Sequence, residues 1–251
     1  FIGQVKQLQR NRVYDRRYAQ EEEFRAGVKA DENRVAEYGT IFEDVDAKWD
    51  VLDDINKPMI YLREAGWNGG EAISFSRRFK SINDMLNNKA SKEDVAKTAE
   101  ALRATVQPFF KDYDMALDKD VTIALLNLIY KDIDRYVPTM ITEIGDKNNG
   151  DFTAWVEKAF EKSIFVSQEK VEKWLAKPKK LDKDPIYKLT QNIIEVYNNV
   201  IIPMYLEAAN SGDEAERLYI KGLMEMQKDR NFYPDANFTM RLTYGSVEPY
   251  K

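Results

Sequence analysis

The chain has 251 residues, 43% of them hydrophobic and 32% charged, with 38 basic side chains against 43 acidic ones. That length supports about one or two domains at ~150 residues each, with a sizeable core. The nearly balanced charge excludes a general nucleic-acid binder, which needs a clustered basic surplus to displace counterions from phosphates. Cysteine and histidine are both absent, so disulfides, histidine-ligated metals and histidine-based triads cannot be assembled from these residues, and cysteine usage leaves the redox compartment open.

In chain order, the first residue is Phe1 with no charged-then-apolar leader behind it, which is expected of a processed chain or of one that starts inside a longer protein. Helical periodicity then dominates. Val35, Tyr38, Phe42, Val45, Trp49 and Leu52 recur every three or four residues and predict one face of a long helix. Pro58 and the turn Gly66-Trp67-Asn68-Gly69-Gly70 end that stretch. Ala72, Phe75, Phe79, Ile82 and Leu86 resume the helical spacing, and Ser91 with Asp94 opens the next helix in a capping-box arrangement. Pro108 kinks or ends that helix; Val121, Leu125, Leu128 and Tyr136 mark another, stopped near Pro138. Asp151 caps a segment with Trp155 and Phe160, and Ser167 precedes one with Val171 and Trp174. Asp184-Pro185 is an N-cap followed by proline at the first helical position, before Leu189, Ile193, Val196, Val200 and Met204. Asp213 opens the last helix, with Leu218, Leu223 and Met226 on its face.

From Phe238 to Tyr244 the period changes to two, which predicts a half-buried strand between the turn Pro234-Asp235-Ala236-Asn237 and Gly245. A lone strand has no partner for its backbone groups, so its sheet is expected in sequence outside this chain. The expected fold is therefore mainly α: a multi-helix bundle with long antiparallel helices over residues 1–230, then a turn and a short C-terminal β-strand over 231–251 leading into an absent β-barrel. The longest apolar runs, Val121 to Tyr130 and Val200 to Leu206, fall well short of the ~20 residues a membrane span needs.

Motifs that carry chemistry are missing. Neither a phosphate-binding glycine loop nor a GxSxG elbow occurs. Glu21-Glu22-Glu23 and Asp53-Asp54 are adjacent in sequence, so on helices they diverge and read as solvated faces. Lys177-Pro178-Lys179-Lys180 reads as an exposed connection, and the sequon Asn237-Phe238-Thr239 as part of a turn. Trp67, in its glycine-rich turn, can either line a ligand cleft or tuck against the core.

One resemblance emerges at the C-terminal end. Gly222-Leu223-Met224-Glu225-Met226, followed by Phe232-Tyr233-Pro234-Asp235-Ala236-Asn237-Phe238-Thr239-Met240-Arg241-Leu242-Thr243-Tyr244-Gly245-Ser246-Val247, closely resembles a signature of the bacterial dipeptidyl-peptidases. In these serine exopeptidases a chymotrypsin-like double β-barrel carries a large inserted helical domain. Weaker similarity runs through Lys29-Ala30-Asp31, Tyr38, Trp49 and Asp184-Pro185. The resemblance implies the capping helical domain of a periplasmic or secreted enzyme that releases dipeptides from peptide N-termini. The triad His and Asp would precede this segment and the Ser would follow it, so the fragment alone is expected to be inactive and to hold no catalytic residue, metal or cofactor. Its implied partners are the flanking β-barrel domains and peptide N-termini, with no nucleic acid and no membrane; a homodimer of the parent stays open. The family's cap implies an Asn that holds the substrate's α-ammonium, but a register set on Tyr38 and Trp49 puts Ala47 there. Asn56, one heptad beyond Trp49, and Asn68 are the substitutes, and Trp49 and Trp67 complete the substrate-binding candidates. The alternative is a free-standing helical protein-binding or scaffold module, which has no use for an unpaired terminal strand.

Overall fold

The computed structural model describes residues 2–232, Met240, Leu242 and 244–247. In chain order its helices are α1 (Ile2–Arg10), α2 (Val13–Lys29), α3 (Glu32–Tyr38), α4 (Ile41–Tyr61), α5 (Glu71–Ser76), α6 (Lys80–Asn87), α7 (Lys92–Arg103), α8 (Val106–Phe110), α9 (Met115–Asp132), α10 (Thr139–Lys147), α11 (Thr153–Lys162), α12 (Gln168–Ala176), α13 (Pro185–Val196) and α14 (Ile202–Met226). Wider π-type turns occupy Leu62–Trp67 and Tyr197–Ile201. The molecule is mainly helical, and no helix among the described residues is long and apolar enough to cross a membrane. The strand expected over 238–244 rests on Phe238, Thr239, Arg241 and Thr243, which lie outside the described residues, as does the sequon at Asn237. Met240, Leu242 and Tyr244 have irregular backbone, and each is at least 84% exposed.

The caps behave as local chemistry dictates. Ser91 Oγ accepts from Asp94 N at 3.1 Å, Ser167 Oγ from Lys170 N at 3.4 Å, and Asp184 Oδ1 from Ile186 N at 3.0 Å with Pro185 next to it. Asp31 caps α3 in the same way through Asn33 N at 2.8 Å.

Several boundaries move. The stripe from Val35 to Leu52 is split between α3 and α4 at Gly39, where a β-carbon would collide with the Val35 carbonyl oxygen. Its outer members Val35 and Trp49 are exposed while Tyr38 is buried. Pro58 lies inside α4, and Asp213 lies inside α14 instead of opening it. Pro203 also lies inside α14, directly after the wide turn Tyr197–Ile201. A proline there removes one donor and crowds the carbonyl four residues back, which a widened turn accommodates. Tyr136 is not helical: α9 ends at Asp132, and Tyr136 adopts φ +58°. Its hydroxyl donates to Asp54 Oδ2 at 2.8 Å, and Arg135 pairs with the same carboxylate. Asp54 is therefore a tertiary tie, and only Asp53 of that pair is a solvated face.

The chain forms two compact units, Phe1–Asp46 with Ser211–Lys251, and Ala47–Asn210. In the first, Phe24, Val28, Tyr38, Ile41, Ala215 and Leu223 form the core. Phe24 packs tilted on Tyr219 at 4.8 Å and edge-on to Phe42 at 5.9 Å. Gly222 permits this approach, because a β-carbon there would sit 2.8 Å from the Phe24 ring. Tyr38 donates to Glu225 Oε2 at 3.0 Å, and Arg34 Nε meets Oε1 at 2.9 Å, tying α3 to α14. Burial, then the bond to Glu225, pushes the Tyr38 hydroxyl up to about 12.

The second unit has the larger core. Phe75 stacks on Phe109 at 4.0 Å with an interplanar angle of 2°, and Phe79 touches Phe165 and Trp174. Two of the polar clusters inside it are matched group for group. Ser76 Oγ lies 2.8 Å from Thr190 Oγ1 between α5 and α13, and each hydroxyl also faces a carbonyl of its own helix, Ile73 O and Ile186 O. Asp118 of α9, 2% exposed, accepts from Glu71 N at 2.6 Å, Ala72 N at 3.0 Å and the Tyr113 hydroxyl at 3.0 Å, capping α5 from a distant helix.

Candidate functional site

The sequence candidates fall on one continuous stretch of the second unit, α4 and the wide turn after it. Trp49 and Asn56 lie seven residues apart on α4, on one face and both exposed. The Lys48 ammonium stands 6.0 Å from the centroid of the Trp49 ring. Trp67 and Asn68 end the wide turn. At ~1.5 Å of rise per residue, Asn68 lies on the order of 18 Å from Asn56 along the helix. The four candidates therefore form two separate pairs.

The Trp67–Asn68 pair sits where both wide turns meet. Trp67 is half-buried and meets the Tyr197 ring edge-on, centroids 4.4 Å apart, which answers whether it is free or tucked in. The Arg77 guanidinium lies 5.5 Å from the Trp67 centroid and donates from Nη1 to Asn68 Oδ1 at 2.9 Å. Gly66 keeps the turn close to α13, since a β-carbon there would stand 3.0 Å from Ile193 Cγ2. Wide turns of this kind gather at functional positions because they re-aim side chains out of helical register.

A polar surface extends from this point. Asn68, Ser74, Arg77 and Arg78 line one shallow concavity, and Arg77, Arg78 and Lys80 line the next. Lys80 also borders a groove of about 350 Å³ with Gln191, Glu195, Asn198 and Asn199. Gln191 Nε2 in that groove is buried and has no hydrogen-bond partner among the described residues. An unmatched amide donor costs about 1–3 kcal/mol, recovered when a carbonyl, carboxylate or water reaches it. Side-chain amides both donate and accept, the capacity needed to follow a peptide main chain. Lys80 itself is held by Asp84. Arg77, Gln191, Tyr197, Asn198 and Asn199 were not singled out from sequence; the one local signal was Pro203, four residues beyond Asn199.

This is a mainly helical class of domain with a polar, amide-rich face and, among the described residues, no assembled nucleophile. The sequence model of the Peptidase S46 family matches residues 1–251, and the chain belongs to that family. It is 30% identical over 260 residues to dipeptidyl-peptidase 7 of Phocaeicola vulgatus, covering 99% of this chain and 34% of that protein. It is 34% identical over 146 residues to the Asp/Glu-specific dipeptidyl-peptidase of Porphyromonas gingivalis, covering 56% of this chain and 20% of that protein. A crystal structure of Porphyromonas endodontalis DPP11 in complex with the dipeptide Arg-Asp is similar at 25% identity and a TM-score of 0.67, over 92% of this chain and 33% of that one. The chain spans about a third of the length of the curated relatives it matches.

Proposed function

We propose that this chain is the capping helical domain of a periplasmic or secreted serine dipeptidyl-peptidase that releases dipeptides from peptide N-termini. One observation carries the reading: the family match spans all 251 residues, yet the chain contains no histidine. The relatives bear dipeptidyl-peptidase names and are about three times as long, which leaves room for triad-bearing β-barrels on either side of a segment like this one. The cap limits how far the peptide extends and orients its N-terminal end, a positioning contribution without bond-making chemistry.

Within this reading the candidates divide by electrostatics. Asn68 Oδ1 already accepts from a guanidinium, whose charge opposes an ammonium at the same oxygen. The α-ammonium contact therefore falls to Asn56, with Trp49 on the same face. Trp67, Asn68, Arg77 and the Gln191 groove face main-chain carbonyls or a carboxylate.

The test compares the 251-residue chain with its parent on a chromogenic dipeptidyl substrate. The parent turns it over and the isolated chain does not; turnover by the chain, free of host peptidases, overturns the proposal. In the parent, Asn56→Ala is expected to raise KM about tenfold with kcat little changed, the loss of one charged hydrogen bond. An unchanged KM removes Asn56 from the site.

A further inference from the structure

The first unit contains a cleft of about 280 Å³ that the peptidase reading does not use. Its floor is apolar and well buried: Phe24 and Tyr38 are 2% exposed, Val28 is 6% exposed, and Phe42 closes one side. Its mouth is charged. Arg25 and Lys29 both line it from α2, one helical turn apart, so two cations stand side by side over an aromatic floor. Neither forms an ion pair among the described residues. The Arg25 guanidinium lies over the Phe42 ring, its Cζ 3.8 Å from the centroid, a cation–π contact that holds it at the edge of the apolar surface. Glu43, in the first turn of α4, is the one acidic side chain in the lining, leaving the mouth a net positive charge.

We propose that this cleft binds a small apolar carboxylate, its hydrocarbon on Phe24, Val28, Tyr38 and Phe42 and its carboxylate between Arg25 and Lys29. At roughly 30 Å³ for each water-sized group, the space holds on the order of nine non-hydrogen atoms. That is the size of a free apolar amino acid or a short fatty acid. Both share the required chemistry, an apolar body with one anionic end. Two unpaired like charges one turn apart repel each other, and a carboxylate relieves this while its chain covers aromatic surface. Glu43 rejects a second negative charge on the ligand and offers an acceptor to an amino acid's ammonium.

The experiment titrates octanoate, leucine and octylamine separately into the 251-residue chain and follows the methyl resonances of Val28 and Val35, two valines that line the cleft. Octanoate or leucine is expected to shift them saturably, and octylamine, with the reverse charge, is not. Tighter leucine binding identifies the amino-acid source and tighter octanoate binding the acyl source. Arg25→Gln and Lys29→Gln are each expected to weaken binding about tenfold. Lys29 is exposed, so its replacement leaves the fold intact. The proposal is overturned if neither carboxylate moves these methyls, if octylamine moves them equally, or if both variants bind as the parent chain does. None of these readouts involves peptide hydrolysis, so this proposal and the peptidase reading fail separately.

Discussion

Phe79→Ala is expected to lower the unfolding free energy by about 3–5 kcal/mol, the range for emptying a large aromatic site in a close-packed core. Phe79 is 0% exposed and lies between α5 and α6 with ring contacts to Phe75 at 5.3 Å, Phe165 at 5.1 Å and Trp174 at 5.6 Å. Those partners come from segments nearly a hundred residues apart in sequence, so the void cannot close by moving one element. Leucine at the same position fills most of the space and should cost clearly less. Urea denaturation followed by tryptophan fluorescence measures both, since all four tryptophans, Trp49, Trp67, Trp155 and Trp174, lie in this unit. A loss below about 1.5 kcal/mol for alanine would show that the aromatic cluster rearranges freely around position 79.

Asp118→Ala is expected to cost about 3–5 kcal/mol, because it strands two backbone donors and a tyrosine hydroxyl inside the second unit. The pH dependence carries a sharper test. Burial raises the Asp118 carboxyl above its ordinary value, against the opposing pull of the Ala72 and Glu71 amides and the Tyr113 hydroxyl. A carboxyl raised by folding contributes stability that is fully present below its unfolded value and is lost as pH rises through the folded one. The stability of the natural chain relative to Asp118→Asn should therefore be greatest in acid and decline toward neutral pH. Glu71, raised first by desolvation and then by the Asp118 charge, should titrate lower in the Asn variant. Chemical denaturation at several pH values, with carboxyl NMR titration of Glu71, checks both; a difference that grows with pH instead would mean the hydrogen bonds outweigh burial.

The elements legible in the sequence were those set by neighbouring residues. Ser91, Ser167 and Asp184-Pro185 declare helix starts because a cap and its amide are two or three residues apart. Asp118 caps α5 across 46 or more residues, so no local pattern reveals it. Asp213 carries the chemistry of a cap yet lies mid-helix, because packing of Ala208, Ala215 and Leu223 continues α14 through it. Gly39 was missed as a break because the apolar spacing continues across it. Within the candidate site, an aromatic and an amide next to glycines made Trp67 and Asn68 legible as candidates, whereas Arg77 and Tyr197 meet them only once the chain folds, and no local pattern places Gln191 in its groove.

The hydroxyls of Ser76 and Thr190 share two protons among three oxygen–oxygen gaps. The chain of donors can thus reverse direction, and deleting either hydroxyl still leaves the other bonded within its own helix. Natural drift can convert these two positions to aliphatic residues one after the other, in either order, without crossing a deeply unstable intermediate. Truncating Asp118, by contrast, strands three donors in a single step.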